Sequence, residues 1–293
     1  MDCPILVWML TFNRDLTTEE YDQCYNTMRT CVSHASVTYQ PGSRDSVLKI
    51  ISYLMPLVMM RHRRVSRHRW RDQVTENGKH WIEMQDQSGM IHQRTLRSMI
   101  GYYIAHHTNL VGMVMTQGLQ HHVINLGLAI EPLTPDPPNA SISAYLESQF
   151  HKLTRNEIDL IRDASTDQRS ESTDDMVMRR LCMLLTLKQA YIRAIGQPLG
   201  FDYTRLEFDV PNQLATGDGK ALYGWEFRVW QACIEVMRPD GTTIEQRYQC
   251  ASAFFRGIHD ISFVWQKDAK ELESWVQFLT PDQLMAVMPK LTD

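Results

Sequence analysis

Basic residues are not in excess in this chain: 30 Lys and Arg stand against 34 Asp and Glu, a net charge of −4. General nucleic-acid binding needs a strongly basic face, so the balance argues against it. No apolar run reaches the ~18 residues of a membrane-spanning helix. The six cysteines (Cys3, Cys24, Cys31, Cys182, Cys233 and Cys250) form no C-x-x-C pair, and a chain of this size needs no covalent staples, so reduced thiols in the cytosol are expected. No basic segment precedes the first apolar run, so no signal peptide is predicted. P-loop, G-x-S-x-G and G-x-G-x-x-G patterns are also missing, which leaves the common nucleotide and hydrolase fingerprints without support.

What is present is globular. The 293 residues are 43% hydrophobic and 22% charged, enough for two lobes of roughly 150 residues, each with a core. Methionine occurs 17 times, which reads as filling of irregular core space. Pro4–Leu10 reads as a buried strand. Thr17-x-x-Glu20 is a capping box that starts a helix running to about Val32. Val47, Leu48, Ile51, Leu54, Met55 and Val58 recur at helical spacing, and Pro56 is expected to kink or end that helix. Asn77-Gly78 is a turn between strands Trp70–Glu76 and His80–Met84.

Arg61–Arg71 is a basic run, read as a solvated face or an anion site. Pro132, Pro135, Pro137 and Pro138 forbid regular structure, so residues 131–142 are expected to bridge an N-terminal lobe, 1–130, and a C-terminal lobe, 143–293. Thr154-x-x-Glu157 is a second capping box. Asp175–Ile195 is the strongest helical pattern, stopped by Gly196 and Pro198. The last third turns to strands, with Asp240-Gly241 as a hairpin turn and a helix predicted over Ala269–Leu279. Helices and strands mix without strict alternation, so the fold class is α+β. Two histidine pairs, His106-His107 and His121-His122, are each expected on a strand. Neighbouring side chains there face opposite ways, which excludes a compact metal site.

One segment is more specific: Leu185-Thr-Leu-Lys188-Gln189-Ala190-Tyr-Ile-Arg193-Ala-Ile-Gly196-Gln-Pro-Leu199. It resembles the W-(S/T)-x-K-E-A-x-x-K-x-x-G-x-G-L signature of 4′-phosphopantetheinyl transferases, most closely the large, pseudo-twofold, two-lobed type found in fungi. Upstream, Gly127-Leu-Ala129-Ile-Glu131 resembles the family's G-(V/I)-D-(I/V)-E strand. Leu153–Ile161 is similar to its F-x-x-x-E helix start, Asn77-Gly78-Lys79-His80 to its G-K-P turn, and Gly89-Met-Ile91-His92 to its N-x-S-H motif. All five lie in the family's order. The resemblance implies two pseudo-symmetric α/β lobes, coenzyme A as donor, a carrier-protein serine as acceptor, and magnesium held by the D-x-E strand and the Glu of K-E-A. A divalent cation between phosphates wants hard oxygen ligands, and the helical Glu also stands where the serine hydroxyl loses its proton.

The sequence departs at those points. Ala129 replaces the strand Asp and Gln189 the helical Glu, so Glu131 alone remains as a metal-binding carboxylate. A neutral amide is a poor magnesium ligand and no general base. Leu185 stands for the signature Trp, Gly89 and Ile91 for the Asn and Ser before His92, and His80 for the Pro. The family's phosphate-binding arginine falls near Ser46, with Arg44 as a substitute. The leading expectation is therefore a repurposed enzyme that needs no cofactor. It would be a monomer acting by cyclisation, elimination or isomerisation on an apolar small molecule between the lobes, in secondary metabolism. Glu131, His92, Lys188 and Gln189 are the candidate catalytic groups. The alternatives are a residual transferase and a non-catalytic module that binds coenzyme A or a carrier protein. For these, Lys79, His92, Lys188, Arg193 and Arg44 are the candidate coenzyme contacts and Glu131 the metal ligand.

Overall fold

The computed structural model describes residues 4–85, 99–163, 172–197, 199–237, 240–257, 259–266 and 269–291. The chain divides into two compact units. One comprises Met1–Ile124, Ile234–Glu245 and Glu273–Asp293, the other Asn125–Cys233 and Gln246–Leu272.

The first unit opens with β1 (Ile5–Thr11), α1 (Thr18–Cys31) and α2 (Arg44–His62). The predicted capping box starts α1: the Thr17 hydroxyl accepts from the Glu20 N–H, and the Glu20 carboxylate accepts from the Thr17 N–H. Strands β2 (Trp70–Val74), β3 (His80–Met84), β4 (Met99–His107) and β5 (Leu110–Gly118) follow, then the single turn α3 (Gln120–Val123). Pro56 lies inside α2 and does not end it. Every residue from Leu54 to Met60 is buried. Each such side chain contributes about 1.5–3 kcal/mol, which outweighs the ~3 kcal/mol that an interior proline costs.

The second unit holds β6 (Leu126–Pro132), α4 (Ile142–Ser148), α5 (Arg155–Arg162), α6 (Thr173–Ile195), β7 (Leu206–Asp209), β8 (Leu214–Gly217), β9 (Lys220–Ala221), most of the hairpin β10 (Trp225–Met237) and β11 (Thr243–Phe255), and β12 (Ser262–Trp265). After α7 (Ala269–Glu273), the chain returns to the first unit as β13 (Val276–Leu279) and α8 (Pro281–Val287). The helix predicted over Ala269–Leu279 is therefore corrected to a short helix and a strand. Val276 to Leu279 pair in parallel with Val7 to Leu10, and this long-range ladder overrides local helix preference.

The α+β class holds, and the two units share a plan. The first builds a six-stranded sheet, β13-β1-β5-β4-β3-β2, on which α2 packs. The second builds a four-stranded sheet, β12-β10-β11-β6, on which α6 packs, beside a small β7-β8-β9 sheet. Each main sheet ends in a parallel pair, β1 with β13 and β10 with β12. The bridge expected over residues 131–142 begins inside a strand: Glu131 and Pro132 belong to β6, opposite Gln249 and Tyr248 of β11. Proline is tolerated there because β6 is an edge strand. The contacts divide instead at residue 124. Methionines 28, 55, 59, 60, 113, 115 and 288 fill the first core, as expected. No described helix is long and apolar enough to cross a membrane.

Two features hold the second unit together. First, β6 and α6 touch backbone to backbone. A Cβ on Gly127 would lie 2.6 Å from the Ala194 nitrogen and would overlap the Ala190 carbonyl oxygen. Second, Lys188 and Glu157 form an ion pair of 2.6 Å with both side chains fully buried. The ammonium also donates to the Lys152 and Tyr203 carbonyls, at 2.9 and 3.1 Å. The carboxylate also accepts from the Thr154 and Phe208 N–H groups. Burial pushes the Glu157 carboxyl up and the Lys188 ammonium down, and each charge opposes the other's shift. Gly127→Ala is expected to lower unfolding free energy by about 3 kcal/mol. Lys188→Met, which strands a buried carboxylate, should cost about 3–5 kcal/mol, and the double variant Lys188→Met/Glu157→Leu less than the sum of the two single changes. Urea denaturation of the variants checks all three.

Candidate functional site

The alternation of β6 puts Gly127, Ala129 and Glu131 on one face. Helix α6 presents Gln189 and Arg193 one turn apart. Because Gly127 lets the two backbones close, these side chains meet. Gln189 Nε2 donates to Glu131 Oε1 at 2.5 Å, and Arg193 Nη1 donates to the Leu128 carbonyl at 2.7 Å. Gln189 Oε1 is buried and has no hydrogen-bond partner among the described residues. Ala129 has no exposed surface and sits in an apolar cluster with Leu184, Leu185 and Ala190.

Around this pair the titratable groups are held neutral. Burial pushes the Tyr145 phenol up to about 12, with Cys182, Glu131 and Asp136 adding to the shift. Tyr203 is raised by burial too, with Arg193 opposing and Glu131 reinforcing. The Cys182 thiol is driven well above its ordinary value by burial and by Glu131, and it contacts the Pro132 carbonyl. A thiol so placed stays protonated and is a poor nucleophile.

The structure thus brings together three of the predicted residues: Glu131, Gln189 and Arg193. It does not bring Lys188. That side chain, a candidate acid–base group and coenzyme contact, is buried, and all three of its N–H groups are donated within the protein. The missing signal is Glu157, read only as a helix cap. Its carboxylate caps α5 and neutralises Lys188 together. Lys79 and Arg44 belong to the first unit. Lys79 lies on the β2–β3 turn, where burial lowers its ammonium pKa. Arg44 bonds the Thr108 carbonyl, the Asn109 side chain and Asp15, and lies 4.4 Å over the Phe12 ring. His92 lies outside the described residues. In the basic run, Arg63 bonds Gln117 and Arg67 covers Trp70, while Arg64, Arg69 and Arg71 are exposed. His121 and His122 sit on α3, not on a strand, with ring centroids 4.0 Å apart.

Magnesium of the kind the resemblance implies does not fit the residues present. Among the described residues no three His, Cys, Asp or Glu side chains gather in a metal-binding group. At β6 and α6 there is one carboxylate, one of its oxygens is taken by an amide donor, and position 129, acidic in the pattern the chain resembles, is a buried methyl group. Gln189→Glu would put two carboxylates within hydrogen-bond distance, so one must bind a proton or both must share a cation. This variant is expected to lose about 1–3 kcal/mol of stability at pH 7 and to recover part of it in millimolar magnesium. Denaturation with and without the ion measures both effects.

No protein-family model matches the chain. The 4′-phosphopantetheinyl transferase pptA of Paxillus involutus is 29% identical over 192 residues, 64% of this chain and 66% of that protein. The match thus spans just under two thirds of the relative's length. Together with the order of motifs read from the sequence, this makes the chain similar to 4′-phosphopantetheinyl transferases.

Proposed function

We propose that this chain keeps the phosphopantetheinyl transferase fold but has lost magnesium-dependent transfer, and that it works instead as an enzyme on an apolar small molecule, by cyclisation, elimination or isomerisation. The observation that carries this reading is the Gln189–Glu131 hydrogen bond beside the buried Ala129. A hexacoordinate cation needs several hard oxygens aimed at one point. Here an N–H group points at the carboxylate from where a second carboxylate would have to stand. The loss of two anionic groups also removes the attraction for a cation that offsets its dehydration. Buried, reduced Cys24, Cys31, Cys182 and Cys250 support a cytosolic setting for this activity.

Residual transfer of phosphopantetheine from coenzyme A to a carrier-protein serine is the second reading. Two observations favour it: the relative's own activity, and Arg193, which donates a single N–H to the Leu128 carbonyl and keeps others for a phosphate. Incubation with coenzyme A, magnesium and an apo carrier protein separates the two. The expected result is no mass gain on the carrier. A gain of one phosphopantetheine group above the enzyme-free control overturns the proposal in favour of the second reading.

A further inference from the structure

A cavity of about 390 Å³ lies within the first unit, under the β2–β3 hairpin and β4. Val32, Pro56, Leu57, Val74 and Ile104 make part of its wall apolar, and Trp70 and Tyr53 make part of it flat and aromatic. Three ionisable side chains converge on its edge. His80 Nδ1 lies 3.4 Å from Asp72 Oδ2 and 3.3 Å from the Tyr102 hydroxyl, and the His80 and Tyr102 rings are 5.2 Å apart. The pairing explains the meeting. Val74 stands opposite His80 across β2 and β3, so Asp72 is its diagonal neighbour on the same face, while Tyr102 stands opposite His80 on β4.

The Asp72 side chain is 18% exposed, and its Oδ1 is buried without a partner among the described residues. Tyr102 is raised well above the ordinary phenol range by burial first and by Asp72 second, so it stays protonated. With a carboxylate and a neutral phenol at Nδ1, the proton of a neutral imidazole belongs on Nδ1, and Nε2 carries the lone pair. No described residue bonds Nε2. The resemblance implies proline at position 80, so this imidazole is a property of the chain and not of the family pattern. Arg67 lines the same cavity over the Trp70 ring, at 4.3 Å. Its Nε and Nη1 bond the Cys31 and Trp70 carbonyls, leaving Nη2 for an oxyanion.

We propose that Asp72, His80 and Tyr102 form a general acid–base centre that moves a proton at an activated C–H bond of a flat, largely apolar carbonyl compound. His80 is the catalytic residue; Asp72 and Tyr102 position it. Nε2 takes the proton from carbon, the C–H electron pair passes into the enolate, and Arg67 faces the developing oxygen charge. The same proton returns to another carbon, so atoms balance and no oxidant or reductant is needed. This inference rests on the reading that the fold has left phosphoryl chemistry, and it locates the acid–base groups that Lys188 cannot supply.

The test uses the full chain and 5-nitrobenzisoxazole, a flat probe whose C3–H bond a base can open. The proton goes to the base, the C–H pair becomes the third bond of a nitrile, the N–O bond breaks, and the charge leaves on a phenolate that is read by absorbance. Turnover should exceed that of free imidazole at equal concentration. His80→Gln should lower it roughly 10²-fold. Asp72→Asn removes the carboxylate that orients the imidazole through Nδ1, so kcat should fall while KM stays unchanged. His34, Tyr53, Arg67, Tyr102, Tyr103 and His106 also line the cavity, and none of them is changed in that variant. Because His80→Gln can unsettle the hairpin, a second measurement uses wild-type protein with ¹⁵N-labelled histidine and 4-nitrophenol, the reaction product without its nitrile, which should shift the His80 ring resonances. Turnover no faster than imidazole, turnover that survives His80→Gln, an unchanged kcat in Asp72→Asn, or unshifted His80 resonances overturns the proposal. Such a failure without mass gain on a carrier protein leaves the loss of transfer standing, whereas mass gain overturns that reading by itself.

Discussion

The closeness of one strand to one helix governs the second unit. Where Gly127 lies against Ala190 and Ala194, main chain meets main chain and no side chain intervenes. At that separation, two residues along the strand and one residue along the helix bring Ala129 and Gln189 to the same neighbourhood. Two further strand residues bring Glu131 to the amide. A larger residue at 127 would hold the elements apart and turn the contact into two surface side chains. The same closeness explains why the alanine at 129 is buried among apolar groups rather than bathed by solvent.

Lys188 and Gln189 are adjacent in sequence and have opposite fates. About 100° of rotation separates neighbours on a helix. The amide turns toward β6, while the lysine turns toward α5 and the segments around Lys152 and Tyr203. An ammonium taken fully out of water must have its charge matched and its donors satisfied. Glu157 and two carbonyls meet both demands, so the lysine joins α5, α6 and β7 and has no donor left for a ligand. Its charge is therefore a structural quantity. The arginine one turn beyond Gln189 keeps donors free and stands nearer the surface.

In the first unit the chemistry comes from a hairpin. Strand pairing alone places a carboxylate, an imidazole and a phenol within reach, because β2, β3 and β4 are antiparallel neighbours and these residues share one face. Antiparallel pairing fixes which residues oppose each other once the turn is set. The Asn77-Gly78 turn is legible in the sequence, so the Asp72–His80 diagonal follows from it by counting. The third member does not, because Tyr102 belongs to a strand 20 residues further on, and its register with β3 is set by the sheet.

Local chemistry written in the sequence determined much of the outcome. The capping boxes at Thr17 and Thr154, the left-handed Gly196 that ends α6, and the hairpins at Asn77-Gly78 and Asp240-Gly241 all rest on interactions within a few residues, and the structure has them where the sequence puts them. The departure from the resembled motif at Ala129 and Gln189 was legible in the same way, as residue types. Tertiary structure alone decided the rest. The C-terminal segment became a strand because β1 offered it a ladder. Pro56 stayed inside a helix because the six buried residues around it, Leu54 to Met60, held it there. Lys188 left the surface because a glutamate 31 positions earlier met it in the core. Each of these depends on a partner distant in the chain, and local preference, weak beside burial and charge pairing, carries no record of that partner.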